Sequence, residues 1–359
     1  MGVQKSNLNL DKIKNILEKE YDVKSFDVST INRGTSNLFE IETENKKYIL
    51  KEFISQRNKQ TIMKEIGIIN FLRERNINVP KYVKTVNGKY YTQNEGRIII
   101  VQEFVEGYTI ENNSGDYNRV IECASILGKL VKELLDYQDL SDENILEKYF
   151  SKTRVESGIE QMKQLIKAIK QNNSYKEQIK DELSYRIKIL EEINDNFDFE
   201  NLKKLTMLNS HGDFCSQQLI YNDKKDPTII DFEKAKKLPI VWEVIRSYSY
   251  IDKDSEHGNI NVDTLVDYFK EFEKYIKLND YDLKYAPYLY LMQLASSTYG
   301  YKEYIEDCSQ KDLLDFAFFR TKLCRDLYEN KELISSKLNN YRCWKLKAWG
   351  EKSNNKKNS

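Results

Sequence analysis

Much of what would mark this chain as a special class of protein is missing from its sequence. No run of about 18 apolar residues occurs, the length that crosses a membrane as a helix, so no transmembrane helix is expected. Neither charge is in surplus: Lys+Arg and Asp+Glu both number 57, and the formal net charge is zero. Nothing global therefore points to a nucleic-acid partner or a membrane surface. The five cysteines (Cys123, Cys215, Cys308, Cys324 and Cys343) are odd in number, widely spaced and contain no CxxC pair. That argues against a disulfide framework or zinc site and for free thiols in a reducing, cytoplasmic compartment. Residues 1–6 are polar and lack the apolar core of a secretion signal. Their match to the short MGxxxS acylation pattern is read as coincidence.

What is present is a globular composition, with 40% hydrophobic and 32% charged residues over 359 positions, enough for two domains of ordinary size. Residues 11–20 place Ile13, Ile16 and Leu17 on one helical face. Strand candidates follow at 25–31, 37–42 and 47–53, separated by polar turns. Residues 57–75 carry Ile62, Ile66, Ile69 and Leu72 at the core-facing helical period, with Pro80 beyond their end. Residues 81–86 and 89–93 read as a hairpin around Asn87-Gly88, and the apolar run 98–101 as a buried strand. From Asp116 onward long charged periodic stretches predict helices at 116–137, 143–169 and 175–193. More follow at 241–250, 262–276, 286–300, 311–328 and 331–349. A short β island at 211–232 interrupts them. The expected fold class is α+β: a small antiparallel β N-lobe (residues 1–105) with one main helix, then a larger helical C-lobe (106–349). Residues 350–359 are expected to be a frayed, disordered polar tail.

The island holds one of only two histidines, in Ser210-His211-Gly212-Asp213-Phe214-Cys215-Ser216-Gln217-Gln218, followed by Ile229-Ile230-Asp231-Phe232-Glu233. Two acids flanking a turn and a hairpin can converge. Phosphoryl transfer needs such a pair, one carboxylate to orient and deprotonate the attacking hydroxyl and one to hold Mg²⁺ against the phosphates. Alone, His-Gly-Asp reads as a surface turn and Asp231 as a cap or strand end. The combination of His-Gly-Asp, a carboxamide five residues on, and an apolar-apolar-Asp-Phe segment favours chemistry.

This stretch resembles the aminoglycoside phosphotransferase and choline kinase superfamily, with its pattern HGDxxxxN followed by a hydrophobic strand and IDFE or IDWE. The resemblance implies a two-lobed protein-kinase-like fold with Asp213 as catalytic base and Asp231 as the principal Mg²⁺ ligand. It also implies that Lys51, in Tyr48-Ile49-Leu50-Lys51, contacts the nucleotide phosphates and pairs with Glu65 on the next helix. Singly, Lys51 reads equally as a solvated edge-strand lysine and Glu65 as a surface acid; their order along the chain favours the pair. Gly34, Thr35 and Ser36 correspond to the nucleotide loop. Residues 100–107 correspond to the interlobe hinge, where adenine meets the carbonyl of Gln102 and the amide of Phe104. Glu243 and Arg246 are expected to brace the catalytic loop, as is His211.

Two positions depart from the family pattern. Leu135 stands where the first C-lobe helix usually ends in histidine, and Gln218 stands where the family has its second metal ligand, asparagine. Glutamine keeps the carboxamide oxygen but is one methylene longer. The implied function is transfer of the γ-phosphate from ATP, with GTP as the other candidate nucleotide, to a hydroxyl of a small molecule. Mg²⁺ is the expected metal, and a monomer or weak homodimer the expected state. Gln218 keeps open the alternative of a catalytically impaired nucleotide-binding pseudokinase, including a structural protein of spore-coat type.

Overall fold

The computed structural model describes residues 6–31, 37–53, 59–141, 145–222 and 226–355, with side chains as far as Tyr341. The chain divides into two compact units, Met1–Ile110 with Gln217–Lys234, and Glu111–Ser216 with Ala235–Ser359. The division falls five residues later than the expected lobe boundary. The segment 217–234, expected in the C-lobe, groups with the first unit.

Unit 1 opens with α1 (Leu10–Tyr21), whose N-cap Asn9 accepts the Lys12 amide at 2.9 Å. This occupies one of the donors a helix start leaves unpaired. Then come β1 (Phe26–Ile31), β2 (Asn37–Thr43), β3 (Lys47–Glu52), α2 (Lys59–Glu74), β4 (Thr92–Asn94) and β5 (Arg97–Glu103). The five strands form one antiparallel sheet in the order β1-β2-β3-β5-β4. The apolar stripe of α1 (Ile13, Ile16, Leu17, Tyr21) packs with Phe39, Ile41, Leu50, Ile99 and Val101 of the sheet. The helical and strand periods read from sequence thus meet in one core.

The hairpin expected at 81–93 does not extend into a paired ladder of strands. Only its turn closes, with the Gly88 amide donating to the Thr85 carbonyl at 2.8 Å and the Thr85 amide to the Lys89 carbonyl at 2.6 Å, while the rest of the first arm turns to β5 through a single bridge of Tyr82 to Gln102. Two short segments share one edge of β5: β4 lies against residues 97–99 and Tyr82 against Gln102. The hairpin is instead β4–β5, turned at Glu95 and Gly96, both at positive φ.

β6 (Tyr108–Thr109) ends the first pass through unit 1. Unit 2 then contributes α3 (Tyr117–Leu134), α4 (Ile145–Phe150), α5 (Lys152–Ala168), α6 (Lys176–Asn196) and β7 (Met207–Ser210). The predicted helix over 143–169 is two helices. Ser151 leaves the helical path, and its hydroxyl caps α5 by accepting the Arg154 amide at 3.0 Å. The chain returns to unit 1 for β8 (Leu219–Tyr221) and β9 (Thr228–Ile229), which build the three-stranded sheet β6-β8-β9. Gly107 is required here: at φ +142 a Cβ would stand 2.2 Å from the Tyr221 carbonyl oxygen.

Unit 2 resumes with β10 (Lys236–Pro239), paired to β7, then α7 (Ile240–Ile251), α8 (Val262–Phe272), α9 (Asp280–Ser296), α10 (Tyr301–Glu306) and α11 (Lys311–Asn355). α9 starts six residues before its predicted position, where Asn279 and Asp282 form a capping box. The two helices predicted at 311–328 and 331–349 are one. No glycine or proline separates them, and α11 continues to Asn355, into the stretch read as a frayed tail.

Candidate active site

In unit 1, β3 presents Lys51 and α2 presents Glu65, with the lysine Nζ 3.8 Å from Glu65 Oε1. Glu65 is buried, and the Lys51 side chain is 16% exposed. The ammonium also lies 4.8 Å from the centre of the Phe53 ring. The same Glu65 oxygen accepts the Tyr82 hydroxyl at 3.0 Å, while Oε2 is buried with no hydrogen-bond partner among the described residues. Burial raises the Tyr82 pKa well above the ordinary phenol value, and the charges of Glu65 and Asp231 add to it. Tyr82 therefore stays a donor across the neutral range.

Asp231 follows β9 at φ +65, a left-handed conformation that costs a non-glycine residue about 1–2 kcal/mol. Its carboxylate is exposed and has no hydrogen bond or ion pair among the described residues. The Gln218 main-chain carbonyl accepts the Ile230 amide at 3.0 Å, which ties the start of β8 to the residue before Asp231. No three His, Cys, Asp or Glu side chains among the described residues gather into a metal cluster. Mg²⁺ in phosphoryl-transfer sites asks for less, one or two protein oxygens completed by water and phosphates. An exposed carboxylate with no partner among the described residues suits that hard ion.

The hinge expectation needs correcting. The Phe104 amide is not free; it donates to the Lys47 carbonyl at 2.9 Å. Bonded pairs alternate along an antiparallel ladder. Ile49 and Gln102, directly opposite each other, are therefore the next bonded pair, and the Gln102 carbonyl turns to β3. Pairing of β3 with the end of β5 takes up both groups assigned to adenine. Gly34, Thr35 and Ser36 lie outside the described residues.

Unit 2 holds the loop after β7. Gly212 has φ +79, the left-handed turn that favours glycine between His211 and Asp213. His211 is fully buried, and its Nδ1 accepts the Asp213 amide at 3.3 Å. Buried Glu243 on α7 accepts the Ser210 hydroxyl at one oxygen and the Phe214 amide, at 3.1 Å, at the other. It clamps both ends of the turn. One helical turn on, Arg246 forms an ion pair with Asp213 and donates to the Phe214 carbonyl at 3.4 Å. Burial works against the Arg246 charge, but Asp213, Tyr250 and Tyr290 outweigh it, and the net shift of its pKa is upward.

Sequence reasoning thus anticipated the pairing of Lys51 with Glu65 and the brace of the Asp213 turn by Glu243 and Arg246. It did not find Tyr82, nor the buried pair of Arg97 with Glu52 at 3.1 Å beside Lys51 on β3. Neither belongs to a motif. The only sequence signal was a polar residue inside an otherwise apolar strand pattern.

A family model described as APH, phosphotransferase enzyme family, matches residues 27–273. No curated protein matches the chain. Among solved structures, an aminoglycoside phosphotransferase from Alicyclobacillus acidocaldarius aligns at TM-score 0.62 and 15% identity, covering 92% of this chain and 98% of that one. A spectinomycin phosphotransferase in complex with ADP and spectinomycin aligns at TM-score 0.61 and 13% identity, covering 93% and 100%. Choline kinase from Cryptosporidium parvum aligns at TM-score 0.56 and 14% identity, covering 95% and 99%. At these identities the likeness is one of fold. No helix among the described residues is long and apolar enough to cross a membrane.

Proposed function

Since the chain belongs to the phosphotransferase enzyme family, we propose that it is a small-molecule kinase that moves the γ-phosphate of ATP to a hydroxyl of its acceptor. The observation that carries the reading is the Lys51–Glu65 pair. A lysine held on a sheet by a buried glutamate is the charge that nucleotide phosphates require, and a purely structural lysine at this position would face solvent. In this reading Lys51 neutralises the phosphates of ATP. Asp213, fixed by His211, Glu243 and Arg246, orients the acceptor hydroxyl and receives its proton. Asp231 is the ligand for Mg²⁺, with the Gln218 carboxamide as second donor; the metal, when bound, offsets charge on the phosphates. Transfer is direct and in line, with no covalent enzyme intermediate, so the protein acts by positioning and electrostatics.

The test is ADP release from ATP and Mg²⁺ across a panel of hydroxyl acceptors, together with nucleotide binding by thermal shift. Asp213→Ala should abolish release and leave binding nearly intact. Turnover retained in that variant refutes the role of Asp213. Binding by the wild type without release for any acceptor favours the pseudokinase alternative.

A further inference from the structure

Two buried arginines in unit 2 differ in how far the fold satisfies them. Arg186 is fully buried and engages all three nitrogens. Its Nε donates to Thr321 Oγ1 at 2.8 Å, its Nη1 to the carbonyls of Leu294 and Ser297 at 3.0 and 2.7 Å, and its Nη2 to the Ala317 carbonyl at 3.0 Å. Leu294 and Ser297 lie at the C-terminal end of α9, where the helix dipole favours a cation. Arg186 needs no ligand.

Arg320 on α11 is 6% exposed and makes one hydrogen bond, from Nη1 to Ser297 Oγ at 2.9 Å. Its Nε is buried without a partner, and no carboxylate pairs with it among the described residues. Burial depresses its pKa; beyond burial, the groups acting most strongly on it are Tyr250, Arg186, Tyr290 and Arg246, two phenols and two cations. A buried guanidinium with no counter-charge is costly, and like-charged neighbours add to the cost.

The surroundings lead from Arg320 towards Asp213. The Arg320 guanidinium lies 5.6 Å from the centre of the half-buried Phe316 ring. Phe316 stacks on Tyr250, with centroids 6.5 Å apart and planes at 26°. Tyr250 lies 4.8 Å from the guanidinium of Arg246, the residue that holds Asp213. The exposed Tyr299 meets Phe316 edge-on at 6.2 Å, so the row of rings reaches the surface. Flat apolar rings flanked by cations suit a small ring-bearing or chain-like anion. The uncompensated Arg320 charge repels a polycation.

We propose that the acceptor, granted the phosphotransferase reading, is a hydroxylated small molecule bearing a carboxylate or phosphate. Its charged group faces Arg320, its body lies along Phe316 and Tyr250, and its hydroxyl is presented to Asp213. The anion supplies the counter-charge that the fold leaves out, and aminoglycosides are excluded as good acceptors.

Four sugars that share one ring isolate the charge: glucosamine, glucose, glucuronate and glucose 6-phosphate. Melting of the full chain with ADP and Mg²⁺ reads their binding without needing turnover. Glucuronate or glucose 6-phosphate should shift the midpoint at a concentration about tenfold lower than glucose does, a difference of about 1.4 kcal/mol. The stronger of the two identifies the anion. Equal shifts, no shift from any sugar, or a preference for glucosamine overturns the proposal. Arg320→Met should erase the discrimination; discrimination that survives in it also overturns the proposal. If that variant does not fold, Arg320→Lys takes its place and should weaken the discrimination. ADP release from ATP and Mg²⁺ across the panel of hydroxyl acceptors, removed by Asp213→Ala, tests the phosphotransferase reading separately. Its absence with charge discrimination intact sinks that reading and leaves the anion site standing.

Discussion

The Tyr82 hydroxyl donates to Glu65 Oε1, the same oxygen that faces the Lys51 ammonium. Tyr82 is also the residue bridged to Gln102 at the end of β5. The phenol thus fixes the position of Glu65 relative to the sheet that carries Lys51.

Tyr82→Phe removes that hydrogen bond while keeping the buried ring. Hydrogen bonds to charged groups contribute about 1.5–3 kcal/mol. The expected outcome is a rise of about tenfold in KM for ATP, with kcat and KM for the acceptor changed far less, measured by steady-state ADP release. A fall in thermal stability with ATP kinetics unaltered would assign Tyr82 to the core alone.

Gln218→Asn restores the shorter carboxamide at the position of the second proposed metal ligand. If Gln218 reaches the ion, the Mg²⁺ concentration for half-maximal rate changes at least about threefold, roughly 0.65 kcal/mol, and KM for the acceptor stays constant. A titration that superimposes on the wild type removes Gln218 from the metal site.

Arg97→Met leaves Glu52 buried, with Asn37 as its remaining hydrogen-bond partner at 2.9 Å. Breaking one side of a buried ion pair costs about 3–5 kcal/mol, whereas replacing both sides by apolar groups is often neutral. Urea denaturation should show a large loss for Arg97→Met and recovery of most of it in Arg97→Met with Glu52→Met. A double variant no more stable than the single one would mean the pair itself holds the sheet.

Residue order was enough to expect Lys51 beside Glu65 and a braced turn at Asp213, because each sits at a fixed place on an element with a clear period or turn. Order along the chain does not record which hydrogen bonds a strand end has already formed. The Phe104 amide was therefore assigned to a nucleotide although Lys47 takes it. The break at Ser151 was missed for a related reason. Its apolar period continues across the cap, and a single serine gives no notice that its hydroxyl turns back to the Arg154 amide. Tyr82 and Arg320 were invisible because their significance lies in partners 17 residues away in one case and in missing partners in the other.

The strands β8 and β9 reach unit 1 only after the chain has passed through residues 111–216. β6 pairs with β8, and the Ile229 amide donates to the Asn78 carbonyl at 2.8 Å, so contacts inside the first unit wait for residues made much later. During synthesis on the ribosome, the N-terminal 110 residues emerge with β6 unpaired and the Asn78 carbonyl open, a sticky edge of the kind chaperones cover. Only when Ile229 has cleared the exit tunnel does the first unit have all its described strands, and Asp231 arrives two residues later. The nascent chain thus gains the carboxylate proposed for the metal at the moment its first unit becomes whole.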